Sequence, residues 1–485
     1  MAKAFRRRDF LKFAALAAAG AAIAAGCAPA AAPSPTAAPK PAATTAPAPA
    51  ATAAPAPAAT QAPVQSGAAK PFAGQTINAS FYELTSVAAL RTMLPDFEQQ
   101  TGMKVNMEVQ AFAVHNQRMD LELSAKGSAY DVSNITFAYA NRWVGSGWFT
   151  NLEEYIKDPN KTPKEWDAED FNAGAMVPFL DAKKNRCGFA YDGSVMVTCA
   201  ARGDLVDRSG LGMPKTFDDL VKLLDAVHDK EGVKAFVADN LHHWCWAPFL
   251  MGFGGNVFKS APDNLTPTLD TKEAIEAAEW YANILRKYCP EGVLSYTNDQ
   301  ALTAQAQSRA NIRIQAISWF TPMVDPAKST VSKTLKFARM PAGPKGDYPA
   351  GNSMGVGIPI GSKKKEAAWE FIKWMCSKDT VKRLAVEKLH PGPCRTSVIN
   401  SPEFKKAMTV NGHDLASEYI TVLDLIGKTG YMLYRTVAVF PPVGTAINKA
   451  IEAITTKQMT AEAAMKQAQQ EAIADIKKAG VKIDA

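Results

Sequence analysis

Aromatic residues in this chain stand beside side chains that exchange hydrogen bonds with small molecules. Tyr82-Glu83, Phe137 with Tyr139, Tyr191-Asp192-Gly193-Ser194, Asn352 and the stretch Tyr431 to Arg435 are such places. A flat ring covers an apolar ligand face, and Asp, Glu, Ser, Asn, Arg and His bond to a polar rim. That is the chemistry of recognition. Glu83 closes a strand pattern, and an acid ending a buried strand needs partners or water, so it is expected to face the site. Asp192 either faces it too or holds a turn. Tyr431 and Tyr434 compete for one role, the other belonging to the core.

Bond-breaking chemistry is less well provided for. A glycosidase needs two carboxylates at fixed separation. Glu83 and Asp192 can be nominated, but no motif surrounds them. His242-His243 invites a metal. Metal sites need several convergent ligands, however, and Asp and Glu are sparse nearby, so no metal is expected. Gly355-Val356-Gly357-Ile358-Pro359-Ile360-Gly361 has the glycines of a phosphate loop without its Lys-Ser/Thr ending, and reads as a hinge strand. No cofactor signature is present.

Alternating strands and helices must position these residues. Thr76 to Phe81 buries Ile77, Ala79 and Phe81 on one face. Ser86 is placed to cap a helix carrying Val87, Leu90, Leu94 and Phe97, with a kink expected at Pro95. Thr101-Gly102 ends it. Met103, Val105, Met107 and Val109 alternate as a second strand, a short helix runs to Lys126-Gly127, and Asp131 to Phe137 forms a third strand. Such a succession predicts a parallel sheet with right-handed crossovers. Further on, Asp270 with Glu273 has the spacing of a capping box. Ser362 precedes an apolar helical face, and Thr460 opens a last helix that Lys477, Lys478 and Gly480 close. Trp280, Trp369 and Trp374 lie on helices and are assigned to packing. No repeat of fixed period occurs.

The N-terminal stretch differs in kind from the rest. Arg6, Arg7 and Arg8, a 13-residue apolar run from Phe13 to Ala25, and Ala24-Ala25-Gly26-Cys27 are the parts of an export leader, too short to span a bilayer as a mature helix. Arg7-Arg8-Asp9-Phe10-Leu11-Lys12 looks like a twin-arginine export motif. Ala24 to Cys27 resembles the lipobox of bacterial lipoproteins, which implies cleavage before Cys27 and a diacylglycerol on its thiol. Residues 27–73 are mostly Ala, Pro, Thr and Ser, an extended tether able to reach roughly 100 Å at about 3.1 Å per residue. The expected localisation is extracytoplasmic, lipid-anchored to the cell membrane. The formal charge of the whole chain is +7, of which the leader carries most, and no long basic run remains, so nucleic acid is excluded as a partner. Six cysteines besides Cys27 permit disulfides in an exported protein, with the connectivity open. An antiparallel pairing of Cys187 with Cys199 is the favoured pairing.

Several segments carry a family resemblance. Phe97-Glu98-Gln99-Gln100-Thr101-Gly102-Met103-Lys104-Val105, Pro214-Lys215-Thr216-Phe217-Asp218-Asp219-Leu220, Glu366-Ala367-Ala368-Trp369-Glu370-Phe371-Ile372 and Gly392-Pro393-Cys394-Arg395 occur in the order found in carbohydrate-binding receptors of ABC importers. The chain resembles these extracellular solute-binding proteins, the maltose-binding type among them, over nearly its whole mature length. The resemblance implies an α/β, two-lobed periplasmic-binding-protein-like fold with a hinge crossed three times. Lobe 1 would comprise 74–195 and 353–400, and lobe 2 would comprise 196–352 and 401–485. Between them a sugar, on size an oligosaccharide, would bind and be passed to permease subunits by a monomeric, non-enzymatic receptor. His243-Trp244-Cys245-Trp246 is similar to the family segment that supplies an aromatic platform, and since its tryptophans alternate, one of them is expected to face the ligand. Trp319 keeps the family's aromatic position, but Ala316-Ile317-Ser318 replaces the usual turn before it. A secreted glycosidase, or the same receptor for a polyamine, peptide or anion, are the competing readings.

Overall fold

The structure is a computed structural model, and its described residues are 70–348, 351–429 and 433–484. The leader, Cys27, almost all of the Ala/Pro tether and Tyr431 lie outside them. Residues 68–485 form one compact unit.

The strands are β1 (Thr76–Tyr82), β2 (Lys104–Gln110), β3 (Val132–Ile135), β4 (Phe189–Ala200), β5 (Lys234–Phe236), β6 (Phe258–Ser260), β7 (Asn264–Pro267), β8 (Ala310–Ala316), β9 (Lys336–Arg339), β10 (Gly351–Gly357) and the short pair β11 (Thr409–Val410) and β12 (His413–Asp414). β1 pairs in parallel with β2 and with β3, as the strand–helix alternation predicts. β10 runs antiparallel to β3 and to β4. β4 carries the architecture. Residues 189–195 pair with β10, whereas residues 196–200 pair with β8 and β9. One 12-residue strand therefore belongs to two sheet segments, β2-β1-β3-β10-β4 on one side and β9-β4-β8-β5 on the other. Its residues are buried almost without interruption, the pattern of a strand covered on both faces.

Local chemistry sets the helix ends. Gly102 stops the helix Leu94–Thr101 in a left-handed conformation (φ 73°), which costs glycine nothing. Met93 separates that helix from Thr85–Arg91, and Pro95 lies in its first turn rather than kinking one continuous helix. Ser86 does not cap. Leu84 holds the cap position, and the Ser86 hydroxyl is spent on Asp192. Thr271, not Asp270, caps Lys272–Tyr288 by accepting from the Ala274 amide. Lys364 stands at the cap of Lys365–Met375, while Ser362 donates to Asp131 at 2.8 Å. Thr460 caps Ala461–Lys478 as expected.

Packing on the first side centres on Trp369, within 5.5 Å of Trp166, and on Phe97 against Phe371 at 5.3 Å. On the second side Trp280 packs with Phe217 and Phe249, each at 5.0 Å. Trp374 meets Phe97 at 5.1 Å, so all three helical tryptophans pack as assigned. The six described cysteines are free and buried. Cys187 precedes β4 and Cys199 lies near its far end, so about 3.3 Å per residue separates them by roughly 40 Å. The expected Cys187–Cys199 disulfide is excluded, because the two lie along one extended run of chain rather than on facing strands.

Candidate ligand-binding site

The junction between the two sheet segments gathers rings and polar groups. β1 ends at Tyr82, which is buried. Its ring meets Phe112 edge-on at 5.1 Å, and Phe112 in turn stacks on Phe137, 5.8 Å away with 21° between planes. The second side contributes Trp244, on the short helix His242–Cys245. Between these rings lies the Arg435 guanidinium, its central carbon 4.3 Å from the Phe137 ring centre and 4.2 Å from that of Trp244. Phe440 is a third ring near it at 5.9 Å. A guanidinium between aromatic faces combines cation–π attraction with close packing.

Trp244 is held from behind. Its indole N–H donates to Gln315 Oε1 at 2.8 Å. The Gln315 amide donates to Asp239 at 2.5 Å, and Asp239 also accepts from Arg313 at 3.0 Å. Arg313 and Asp239 are 2% and 0% exposed. Arg313 and Gln315 share one face of β8, which is buried along its whole length, so both turn to the Asp239 carboxylate for a partner.

Asp192 and Tyr191 occupy the first half of β4. Register places Asp192 opposite Met354 and Ser194 opposite Asn352, so Asp192, Ser194 and Asn352 share a face. Ser353 and Gly193, on the opposite face, meet the Ala175 carbonyl and the Tyr419 hydroxyl. Asp192 accepts from Ser86, and burial raises its carboxyl above the usual range, opposed by His390 and by that hydrogen bond. Burial and then Asp192 raise the Tyr82 phenol, with Arg435 opposing. Tyr191 donates to Asn134 at 3.2 Å and packs edge-on against Phe81 at 6.0 Å, which makes it a wall of the first side.

The remaining expected residues divide. His243 meets Phe440 edge-on at 5.5 Å; burial, then Arg435, then His242 depress it to about 3. His242 turns toward Tyr281, so the two imidazoles do not converge. Trp246 is fully buried and belongs to the core, while its neighbour Trp244 faces Arg435. Glu83 is exposed. Tyr139 is half-buried against Trp143 at 5.2 Å, one step from the ring cluster. Trp319, half-buried, lines a cavity of about 20 Å³ with Gln315, Arg313 and Phe337, room for about one water. Ser86, Phe112, Gln315, His390 and Phe440 join the site without having been expected. For Arg313 and Gln315 a signal existed, since with Asn311 they alternate as polar residues in an otherwise apolar strand. A groove of about 530 Å³ beside Lys449, Glu452 and Glu471 contains none of these residues.

A strand shared by two sheet segments, with recognition chemistry at the crossing, defines a two-lobed α/β binding protein. The model of the bacterial extracellular solute-binding proteins matches residues 83–382, and the chain belongs to that family. It is 23% identical over 359 residues to a probable amino-acid ABC transporter periplasmic-binding protein of Sinorhizobium fredii, covering 70% of this chain and 76% of that one. It is 22% identical over 369 residues to the erythritol/L-threitol-binding protein of Mycolicibacterium smegmatis, covering 72% and 76%. Among solved structures, a solute-binding protein of Agrobacterium vitis with bound D-mannitol superposes with a TM-score of 0.72 at 22% identity, covering 84% of this chain and 99% of that one.

Proposed function

We propose that this protein is an extracytoplasmic receptor that binds a small polyhydroxylated solute, an alditol or a sugar, between its two halves and hands it to an ABC importer. The observation that carries the reading is the set of groups at the junction: Tyr82, Phe137 and Asp192 from one side, Trp244 and Gln315 from the other, with Arg435 between the rings. Rings with amide and carboxylate groups suit a ligand of C–H faces and many hydroxyls. The erythritol/L-threitol-binding relative and the D-mannitol-bound structure support the same class. Arg435 covers one face of both Phe137 and Trp244, which favours a short polyol or monosaccharide over an oligosaccharide needing those faces. Trp319, half-buried at the end of β8, is the ring offered to a cyclic sugar.

In this reading the ligand closes two lobes, 74–195 with 353–400 and 196–352 with 401–485, about a hinge that includes β4 and β10. The helix Leu415–Thr429 packs against β4, β9 and β10, and would travel with the hinge. The twin-arginine leader would export the chain and be removed, and the lipidated Cys27 would hold the receptor at the outer face of the cell membrane. No described helix is long and apolar enough to cross a membrane.

A thermal-shift panel on the full chain in detergent tests the cargo. Alditols, mono- and oligosaccharides, amino acids, polyamines and phosphate are compared. A ligand at about 100 times its Kd adds ~2.7 kcal/mol to stability. Stabilisation by alditols or sugars is expected. Stabilisation by amino acids alone would overturn the cargo and keep the fold.

A further inference from the structure

We propose that His390 and Asp192 together form a subsite for a vicinal diol of the solute, with His390 the residue that sets its specificity; this rests on the polyol-or-sugar reading above. His390 is only 5% exposed, and neither of its ring nitrogens has a hydrogen-bond partner in the protein. Burying an imidazole without partners is costly unless another molecule supplies them.

Its placement tells which molecule. The residue lies on the loop after the helix Lys378–Glu387. On one side of it, the Leu389 carbonyl accepts from the Thr321 hydroxyl at 2.8 Å, which ties the loop to the segment following β8. On the other side, the Gly392 carbonyl accepts from the Gly193 amide at 2.8 Å, which ties it to β4 beside Asp192. His390 is thus fixed where the two halves meet, near the buried Asp192 carboxylate. Asn352, on the same face of the hinge strands as Asp192, also has an unpartnered Oδ1. His242 likewise lacks partners, but it packs against Tyr281 at 6.1 Å within the helices and not at β4.

The three groups complement adjacent hydroxyls. A carboxylate accepts only, an imidazole donates from a ring N–H, and an amide oxygen accepts. Two neighbouring hydroxyls donate to Asp192 and Asn352 and exchange with His390. A solute carboxylate aimed at the same place would meet the Asp192 charge, so the subsite discriminates against acids as well as for diols.

Calorimetry on the full chain with erythritol, ribitol, D-mannitol and maltose tests this in wild type, His390→Ala and His390→Gln. Far-ultraviolet dichroism and melting confirm that each variant is folded. For whichever probe binds, His390→Ala is expected to weaken binding at least tenfold, and His390→Gln, which can both donate and accept, to recover part of it. A deoxy analogue of the binding polyol should bind wild type at least tenfold more weakly, and His390→Ala nearly as well as its parent does. A folded His390→Ala that binds with wild-type affinity overturns the subsite while leaving the function intact. If wild type binds none of the four probes, the cargo reading fails and the subsite with it. If His390→Ala does not fold, His390→Gln and the deoxy analogue decide: unchanged affinity in both refutes the subsite.

Discussion

Replacing Asp239 by alanine tests whether the buried network behind Trp244 holds the second side together. Asp239 accepts from Arg313 at 3.0 Å, Gln315 at 2.5 Å, the Leu241 amide at 3.1 Å and Cys245 Sγ at 3.6 Å. Removing the carboxylate strands a guanidinium that is 2% exposed. Breaking one partner of a buried pair costs ~3–5 kcal/mol, because the other charge stays buried and uncompensated. The orphaned Gln315 amide costs ~1–3 kcal/mol more, though the two losses share one site and do not simply add. A total of about 4–5 kcal/mol is a large share of the ~5–15 kcal/mol typical of folded proteins. Urea unfolding followed by circular dichroism reads this directly. Loosening Gln315 should also change the tryptophan emission, since the Trp244 indole loses its acceptor at 2.8 Å. The double variant Arg313→Met with Asp239→Leu removes both charges and should regain most of the loss. A loss below ~1 kcal/mol in Asp239→Ala, or a double variant as unstable as the single one, would refute the argument.

Further outcomes concern pH, backbone contact and the ring offered to a cyclic sugar. Burial depresses His115 and His242 to about 4 and His243 to about 3, whereas the unfolded chain titrates them near 6.5. The unfolded state then binds the extra protons, so this stability is complete above about pH 6.5 and falls as pH drops toward 4, by up to ~1.4 kcal/mol per pH unit for each histidine. Asp192, raised by burial, works in the opposite sense and softens the fall. Melting temperature against pH should show a shallower slope in His243→Asn, and an unchanged slope would remove His243 from the account. Gly392→Ala places a Cβ 1.9 Å from the Gly193 carbonyl oxygen, so the loop must shift from β4. A loss of ~1–3 kcal/mol is expected, and a melting curve that overlays wild type would contradict the contact. Trp319→Ala should weaken binding of a cyclic sugar by at least ~1 kcal/mol, and an unchanged calorimetric affinity would take Trp319 out of the site.

Local signals read well from the sequence because they depend on neighbours in the chain. The alternation in Thr76 to Phe81 and the glycine at 102 act over a few residues, and β1 and the end of the helix Leu94–Thr101 appear where that pattern places them. Ser86 and Asp270 failed as caps for a reason that is not local. Ser86 is drawn to a carboxylate 106 positions away, and Thr271 has better geometry one residue on. Cys187 and Cys199 misled because two cysteines separated by a strand's length look alike whether that strand folds back or runs straight.

The site divides in the same way. Residue type alone marks Tyr82, Asp192, Trp244, Asn352 and Arg435 as recognition chemistry, since rings beside polar groups are visible in the linear order. Their convergence depends on contacts spanning most of the chain. Arg435 lies nearly 300 residues beyond Phe137 and about 190 beyond Trp244, and only packing brings its guanidinium between those rings. Glu83 is left exposed because β1 ends one residue earlier, at Tyr82, and Trp246 is buried because the short helix turns its neighbour toward Arg435 instead. His390 carries no signal in its own neighbourhood. It comes to the junction because the Gly392–Gly193 and Leu389–Thr321 contacts close its loop against β4 and the segment after β8 at once. Composition and periodicity thus specify which groups are available and which elements carry them. Long-range packing selects among those groups, because a face of a strand or helix acquires a function only from what is folded against it.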